Sequence, residues 1–355
     1  MFKFLKVAMA AAVVTTFFGS AALTAPALAA DNISGAGSSF AAPLYAKWAE
    51  GYKRATGSAL NYQAIGSGGG IKQIEANTVD FGGTDKPLTQ QELDKYGLYQ
   101  FPTAVGGVVP AINVPGIATG KLKLPGVVLA DIFLGKITMW NDPAIAKWNA
   151  GLKLPALPIT VVHRSDGSGT TYIFATYLSI ASAEWKQKVG ASDAVEWPTG
   201  VGGKGNDGVA AMVRQTAGSI GYVEYAYVMK TNISYALVAS KDATWPLPTA
   251  AAFKAATAGA DWAHAPGNYL MIVNQPGANS WPISGATFAL VHKTGDAARI
   301  GAVLKFFDYG FKSGDFSANE LFYVPLPANV KTMIRKQWSE NVTSGGKPIY
   351  VSPNK

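Results

Sequence analysis

The sequence predicts an α/β chain folded as two domains, an expectation that rests on three observations. An extended segment, a loop of glycines and hydroxyl residues, and a helical segment recur in that order, the pattern of parallel strands joined by helical crossovers. The chain has 355 residues, too many for one core of typical size. The clearest single unit lies mid-chain. There Ile159-Thr160-Val161-Val162-His163 is β-branched and apolar, and Thr171 to Ser179 sets Ile173, Phe174, Tyr177 and Leu178 at helical spacing. Between them runs Arg164-Ser165-Asp166-Gly167-Ser168-Gly169-Thr170.

That turn is an expected anion site. A helix start presents free N–H groups and the positive end of the dipole. Ser168 and Thr170 add hydroxyl donors, and Arg164 adds a charged fork matched to tetrahedral oxyanions. Phosphate is the first candidate.

Taken from the start, Met-Phe-Lys-Phe-Leu-Lys precedes an apolar, alanine-rich run from Val7 to Leu23 and then Ala27-Leu28-Ala29. A basic start, a short apolar core and an A-x-A site predict a secretory signal peptide over residues 1–29. Cleavage there leaves 326 of the 355 residues, and the loss of Lys3 and Lys6 takes the formal net charge from +8 to +6. The expected address is the bacterial periplasm. No other stretch has roughly 18 consecutive apolar residues, so none is expected to span a bilayer. Cysteine is absent and His163, His264 and His292 are scattered, so no disulfide, metal site or cofactor is expected. No dense Lys/Arg run points to nucleic acid.

In the mature chain, a helix is predicted after Phe40, with Leu44, Tyr45, Trp48, Tyr52 and Ala55 on one face, Pro43 in its first turn and Gly57 ending it. Ser58 to Ile65 reads as a strand. Gly66-Ser67-Gly68-Gly69-Gly70 reads as a loop before a helix carrying Ile71, Ile74 and Val79. Asp80 to Pro87 is a short strand running into a turn, and Pro102 to Pro115 a strand leading out of the first domain. Leu129 to Leu134 is helical, and Asp142 caps a helix opened by Pro143. Gly203-x-Gly205-x-x-Gly208 matches the dinucleotide fingerprint only formally, because Glu196-Trp197-Pro198 ahead of it is a poor central strand. Gly218 to Val223 and Trp281 to His292 read as strands. Ala250 to Trp262, Ala297 to Phe311 and Asn329 to Trp338 read as helices, the first of them peripheral. The polar tail from Asn341 is expected to be loose.

Several spaced motifs together carry a resemblance: Ser34-Gly35-Ala36-Gly37-Ser38-Ser39-Phe40, Ile65-Gly66-Ser67-Gly68-Gly69-Gly70, Asp80-Phe81-Gly82-Gly83-Thr84-Asp85, the Arg164–Thr170 turn, Gly202 to Gly208, and Gly221-Tyr222-Val223-Glu224-Tyr225. Over residues 31–350 the chain resembles the periplasmic phosphate-binding proteins of phosphate-specific ABC transporters. The resemblance implies two α/β lobes of the type II binding-protein kind, joined by two crossing strands near 101–115 and 281–292, with phosphate held dehydrated in the cleft. Lobe I would be 30–103 with 283–355, and lobe II 104–282. By the same resemblance, Ser39, Phe40, Ser67 and Asp85 would contact the ligand from lobe I, and Arg164, Ser168, Gly169 and Thr170 from lobe II. Asp166 would steer the Arg164 guanidinium. Gly68 stands where a second serine is common in the family. His163, next to Arg164, points to the opposite face by strand alternation. The implied partners are inorganic phosphate and the inner-membrane permease subunits, and the chain would act as a monomer.

Asp85 is the informative residue type. A buried phosphate needs many fixed donors, yet a carboxylate repels a fully ionised anion. Phosphate near neutral pH still carries a proton that Asp85 can accept, whereas sulfate does not, which predicts phosphate over sulfate. The enzyme alternative finds little support. No serine sits in a G-x-S-x-G elbow, and the His and Cys inventory is meagre for a phosphatase. An exported scavenger or adhesion protein of the same fold is the other alternative.

Overall fold

The structure, a computed structural model, describes residues 32–351. The expected leader lies outside the described residues. Its main elements, in chain order, are β1 (Ile33–Gly37), α1 (Ala42–Thr56), β2 (Leu60–Gln63), α2 (Ser67–Glu75), β3 (Phe81–Thr84) and β4 (Leu98–Asn113). Then come β5 (Thr160–Arg164), α3 (Gly169–Ala181), β6 (Val201–Gly203), α4 (Gly205–Gln215), β7 (Ser219–Glu224) and α5 (Tyr225–Thr231). The chain finishes with β8 (Ser284–His292), α6 (Ala297–Ser313) and α7 (Ala328–Asn341).

The strands run side by side in the order β2-β1-β3-β8-β4-β7-β5-β6. The sheet is mixed. β1 is parallel to β2 and β3, and β5 is parallel to β6 and β7, as a strand–loop–helix repeat requires. β8 is antiparallel to β3 and β4, and β4 is antiparallel to β7. The 16-residue β4 belongs to both halves. It pairs with β8 up to Gly107↔Ser284 and with β7 from Val108↔Glu224 onward. At the hand-over Val108 N–H donates to Ile283 O at 2.8 Å, and Trp281 Nε1 donates to Val108 O at 2.8 Å. β1, β3, β5 and β6 all end, at their carboxyl ends, in the loops quoted as motifs above, which is where parallel sheets hold ligands.

The helices form for the reasons the sequence suggests. α1 opens on Pro43 and stops where Gly57 takes φ 80°, a left-handed angle that glycine adopts without strain. It buries Leu44, Tyr45, Trp48 and Tyr52, while Ala55 is exposed, one turn beyond the buried face. Tyr45 meets Phe307 of α6 edge-on at 5.5 Å. Full burial of each such ring contributes roughly 1.5–3 kcal/mol. In the other half Phe174 of α3 stacks on Tyr222 of β7 at 4.3 Å.

Three expectations change. The glycine-rich run after Gly66 is the first turn of α2 itself, which begins at Ser67. A Cβ at Gly70 would sit 2.5 Å from Ala36 O and Gly37 Cα, so close backbone approach outweighs poor helix propensity there. The segment from Ala250 is a helix only to Ala256, and it is not peripheral. Phe253 is fully buried, and a side chain at Gly107 would collide with its ring. The tail after Asn341 turns back as a short hairpin, Thr343–Ser344 with Lys347–Pro348, and buries Tyr350 edge-on against Trp338 at 5.2 Å.

Candidate functional site

The loop after β5 is organised by its own neighbours. Ser168 caps α3, its Oγ accepting the Thr171 N–H at 3.0 Å. Arg164, 3% exposed, donates through Nε to Asp166 Oδ1 (2.8 Å) and through Nη2 to Asp166 Oδ2 (2.5 Å). That bidentate grip fixes the guanidinium plane. It leaves Nη1, which is buried and has no partner among the described residues. Tyr222 OH accepts the Arg164 N–H at 3.2 Å and pairs with Thr171 Oγ1 at 2.6 Å. His163 lies elsewhere, stacked on Trp197 at 4.8 Å.

The Ser38–Ala41 loop is organised from a distance. Three tyrosine hydroxyls donate to three consecutive carbonyls: Tyr62 to Ser38 O (3.0 Å), Tyr227 to Ser39 O (2.7 Å) and Tyr323 to Phe40 O (2.6 Å). In a planar trans peptide the N–H points opposite its C=O. The tyrosines therefore turn the N–H groups of Ser39, Phe40 and Ala41 to the other side of the loop. The Ala41 N–H donates to Ser38 Oγ at 3.1 Å. Those of Ser39 and Phe40 lie at the entrance to α1.

Asn206, second residue of α4, sets the direction of two hydroxyls. Its Nδ2 donates to Ser39 Oγ (2.8 Å) and to Thr170 Oγ1 (3.0 Å), and its N–H donates to Ser39 Oγ as well (3.1 Å). Its Oδ1 accepts the Glu224 N–H at 2.8 Å, which fixes the amide orientation. Both hydroxyls are thus acceptors toward Asn206, and each keeps its own proton to donate.

Two buried acids face this donor set. Asp85, 2% exposed, follows β3; its N–H donates to Ser67 Oγ (3.2 Å), and Ser67 Oγ stands 3.5 Å from Oδ2. Ser38 Oγ donates to Oδ1 at 2.5 Å. Burial pushes the Asp85 carboxyl up from 3.8 to about 6, against hydrogen bonds from Ser38 and Thr287, the Arg164 charge and a weaker bond from Ser67. Glu224 is lifted well above the usual carboxylate range, chiefly by burial. Its Oε2 accepts the Ala226 N–H (2.8 Å) and stands 3.0 Å from Tyr323 OH, and its Oε1 is buried without a partner among the described residues. Chemically, the arrangement offers a buried guanidinium N–H, backbone and hydroxyl donors, and one carboxylate acceptor. That suits an oxyanion carrying a proton. Among the described residues no cluster of three or more His, Asp or Glu is placed to hold a metal ion.

Residues 22–313 match the model of a PBP superfamily domain. The chain is 54% identical over 309 residues to the phosphate-binding protein PstS of Xylella fastidiosa, covering 87% of this chain and 85% of that one. It is 50% identical to the PstS of Pasteurella multocida, covering 94% of this chain and 96% of that one. The chain belongs to the phosphate-binding protein PstS family. The crystal structure of a phosphate-binding protein from Stenotrophomonas maltophilia has the same two-lobed fold, with TM-score 0.67, 21% identity, and coverage of 91% of this chain and 98% of that one.

The family motifs converge across the two lobes. A Cβ on Gly169 would fall 2.6 Å from both Asp85 Cβ and Ser67 Oγ, so the start of α3 sits directly on the loops after β2 and β3. Ser39 and Thr170 share Asn206, and Phe40 follows Ser39 in the tyrosine-held loop. The lobes also touch at Gly68 N–H to Gly167 O (3.0 Å) and Lys86 Nζ to Asp193 Oδ1 (2.9 Å). Gly68 itself is explained by that approach. A Cβ there would be 3.1 Å from Gly167 Cα and 3.2 Å from Asp193 Oδ2, directed at the facing lobe.

The glycines of the formal dinucleotide fingerprint serve α4 instead. Gly205 N–H donates to Asp166 Oδ1 at 3.1 Å, and Asn206 follows at once. Sequence reasoning quoted this motif but gave Asn206 no part, and it missed Ser38 and the three tyrosines. The Gly-Asn-Asp-Gly run was the one available signal. Nothing in the sequence marks which of 15 tyrosines reach the loop.

Proposed function

We propose that the chain captures inorganic phosphate in the periplasm and hands it, as a monomer, to inner-membrane ABC permease subunits. The observation that carries this reading is the buried Nη1 of Arg164, without a partner among the described residues, in a ring of donors that also contains the carboxylate of Asp85. Arg164, Ser168, Gly169 and Thr170 bind from one lobe, with Asp166 steering the guanidinium. Ser39, Phe40, Ser67 and Asp85 bind from the other. The relatives' names, phosphate-binding proteins, support phosphate as the ligand. Export with cleavage near Ala29 or Ala30 belongs to the same reading.

Specificity comes from the acceptor. Protonated phosphate donates to Asp85, whereas sulfate meets an unpaired carboxylate at a cost on the order of several kcal/mol. Calorimetry tests this. The wild type is expected to bind phosphate far more tightly than sulfate, and Asp85→Asn to lose discrimination more than it loses phosphate affinity. Equal affinities in the wild type would overturn the ligand assignment. Undiminished discrimination in the variant would overturn the role of Asp85.

The lobes, with boundaries near 103 and 283, close as hinged bodies about the crossing strands. The hand-over of β4 at Gly107 and Val108 supports that hinge. The segment around Asn268 rides with the first lobe, since its side chain donates to Gln100 O at 2.9 Å. Small-angle scattering should show a more compact particle with phosphate; identical curves with and without it would refute closure.

A further inference from the structure

Ser38 has no part in the phosphate reading above, yet it is fully buried and grips the acceptor. Its hydroxyl makes two hydrogen bonds whose directions are forced. The Ala41 amide can only donate, so Ser38 Oγ is the acceptor there, at 3.1 Å. The single hydroxyl proton then goes to the other partner, Asp85 Oδ1, at 2.5 Å. Asp85 Oδ1 is thereby committed as an acceptor, and a proton placed on it would face another proton. Oδ2 is in a different position. Ser67 Oγ accepts the Asp85 N–H and reaches Oδ2 only by a long bond of 3.5 Å, and Thr287 is a further hydrogen-bond donor to the carboxyl.

We infer that Ser38 is a positioning and specificity-determining residue. By occupying Oδ1 it presents Asp85 to the ligand through Oδ2 alone, as a hydrogen-bond acceptor. The relay from Ala41 N–H through Ser38 to Asp85 gives the first loop control over which anion the cleft accepts. This rests on the phosphate reading.

The surroundings make the relay matter near neutral pH. Burial pushes Asp85 up to about 6, and the Ser38 hydrogen bond is the foremost influence in the other direction. The titratable and charged groups around Asp85 are Arg164, Glu224 and the tyrosines Tyr45, Tyr62, Tyr227 and Tyr323. Burial raises the tyrosines further above their usual range and lifts Glu224 as well. Asp85, pushed up to about 6, is a group here that titrates as the pH falls from neutral. Above its pKa it accepts a proton from phosphate. Below it, the carboxyl carries the proton that sulfate lacks. The ratio of phosphate to sulfate affinity should fall as the pH drops through that value. Without Ser38 the fall moves to higher pH.

The test is Ser38→Ala, with phosphate and sulfate affinities measured by calorimetry from pH 5 to 8 (about this span brackets the carboxyl). The expected result is a phosphate-to-sulfate ratio about tenfold lower at neutral pH, the scale of one hydrogen bond to a charged group. Its midpoint should be displaced upward in pH. Ser38→Thr keeps the hydroxyl and should restore both. A variant in which both anions weaken together, with the midpoint unmoved, would show a packing role only and overturn the inference. An unchanged variant would do the same. If the wild type fails to prefer phosphate at all, the phosphate reading falls instead, and that arm is read first.

Discussion

The loop from Arg164 to Thr170 has two of its ties over only two or three residues, beside longer ones to Tyr222, Gly205 and Asn206. Arg164 holds Asp166 two positions on, and Ser168 caps Thr171 three positions on. The loop from Ser38 to Ala41 is tied over 47 residues to Asp85, 167 to Asn206, 188 to Tyr227 and 283 to Tyr323. Two of those partners, Asn206 and Tyr227, come from the facing lobe. The difference is one of readiness. If the lobes close as proposed, the arginine half would keep its Asp166 grip throughout, whereas the Ser39 half, held within its own lobe by Tyr62 and Tyr323, would gain Asn206 and Tyr227 only on closure.

The sharpest way to break this contrast is to remove the self-contained half. Arg164→Ala deletes the site's buried cation and leaves Asp166 with Gly205 N–H as a remaining donor. Loss of a buried charge-assisted partner costs roughly 3–5 kcal/mol, so phosphate affinity should fall by at least about 100-fold. Sulfate should fall by a similar factor, because Arg164 does not tell the two apart. Calorimetry with both anions reads this, and a loss confined to phosphate would reassign the selectivity.

A smaller effect probes the half that closure completes. Asn206→Ala removes three side-chain hydrogen bonds, to Ser39, Thr170 and the Glu224 N–H, each worth about 1 kcal/mol, and frees the Ser39 and Thr170 hydroxyls to rotate. Affinity should fall roughly tenfold, mostly through faster release, since the amide joins the lobes. Stopped-flow displacement with a phosphate trap measures it. If the release rate is unchanged and only association slows, Asn206 organises the open state and the contrast between the halves fails.

The same contrast explains how much was readable beforehand. The Arg164 loop stood out because two of its ties, Arg164 to Asp166 and Ser168 to Thr171, lie within one turn of chain, where residue types and spacing suffice. Asp166 as the steering carboxylate is what the family resemblance implies, and the structure has the Arg164–Asp166 bond. The Ser38 loop was legible as glycine and hydroxyl residues before a helix, but its tyrosines were not, since contacts over hundreds of residues leave no local pattern. The glycine run Gly68-Gly69-Gly70 was misread as a loop for the same reason. Its helix is imposed by packing against β1, which propensity does not report.

By itself the sequence determined the alternation of strands and helices, the place of the glycine-rich loops at strand ends, and the residue types of an oxyanion site. All of these depend on short-range periodicity and on chemistry carried by single side chains. Tertiary structure alone decided that β4 serves both lobes, that three tyrosines aim the first loop, that Asn206 polarises Ser39 and Thr170, and that Ser38 occupies one oxygen of Asp85. The reason is physical: a hydroxyl's role as donor or acceptor is set by whichever partners the fold brings within about 3 Å, and those partners come from segments that only the folded chain makes neighbours.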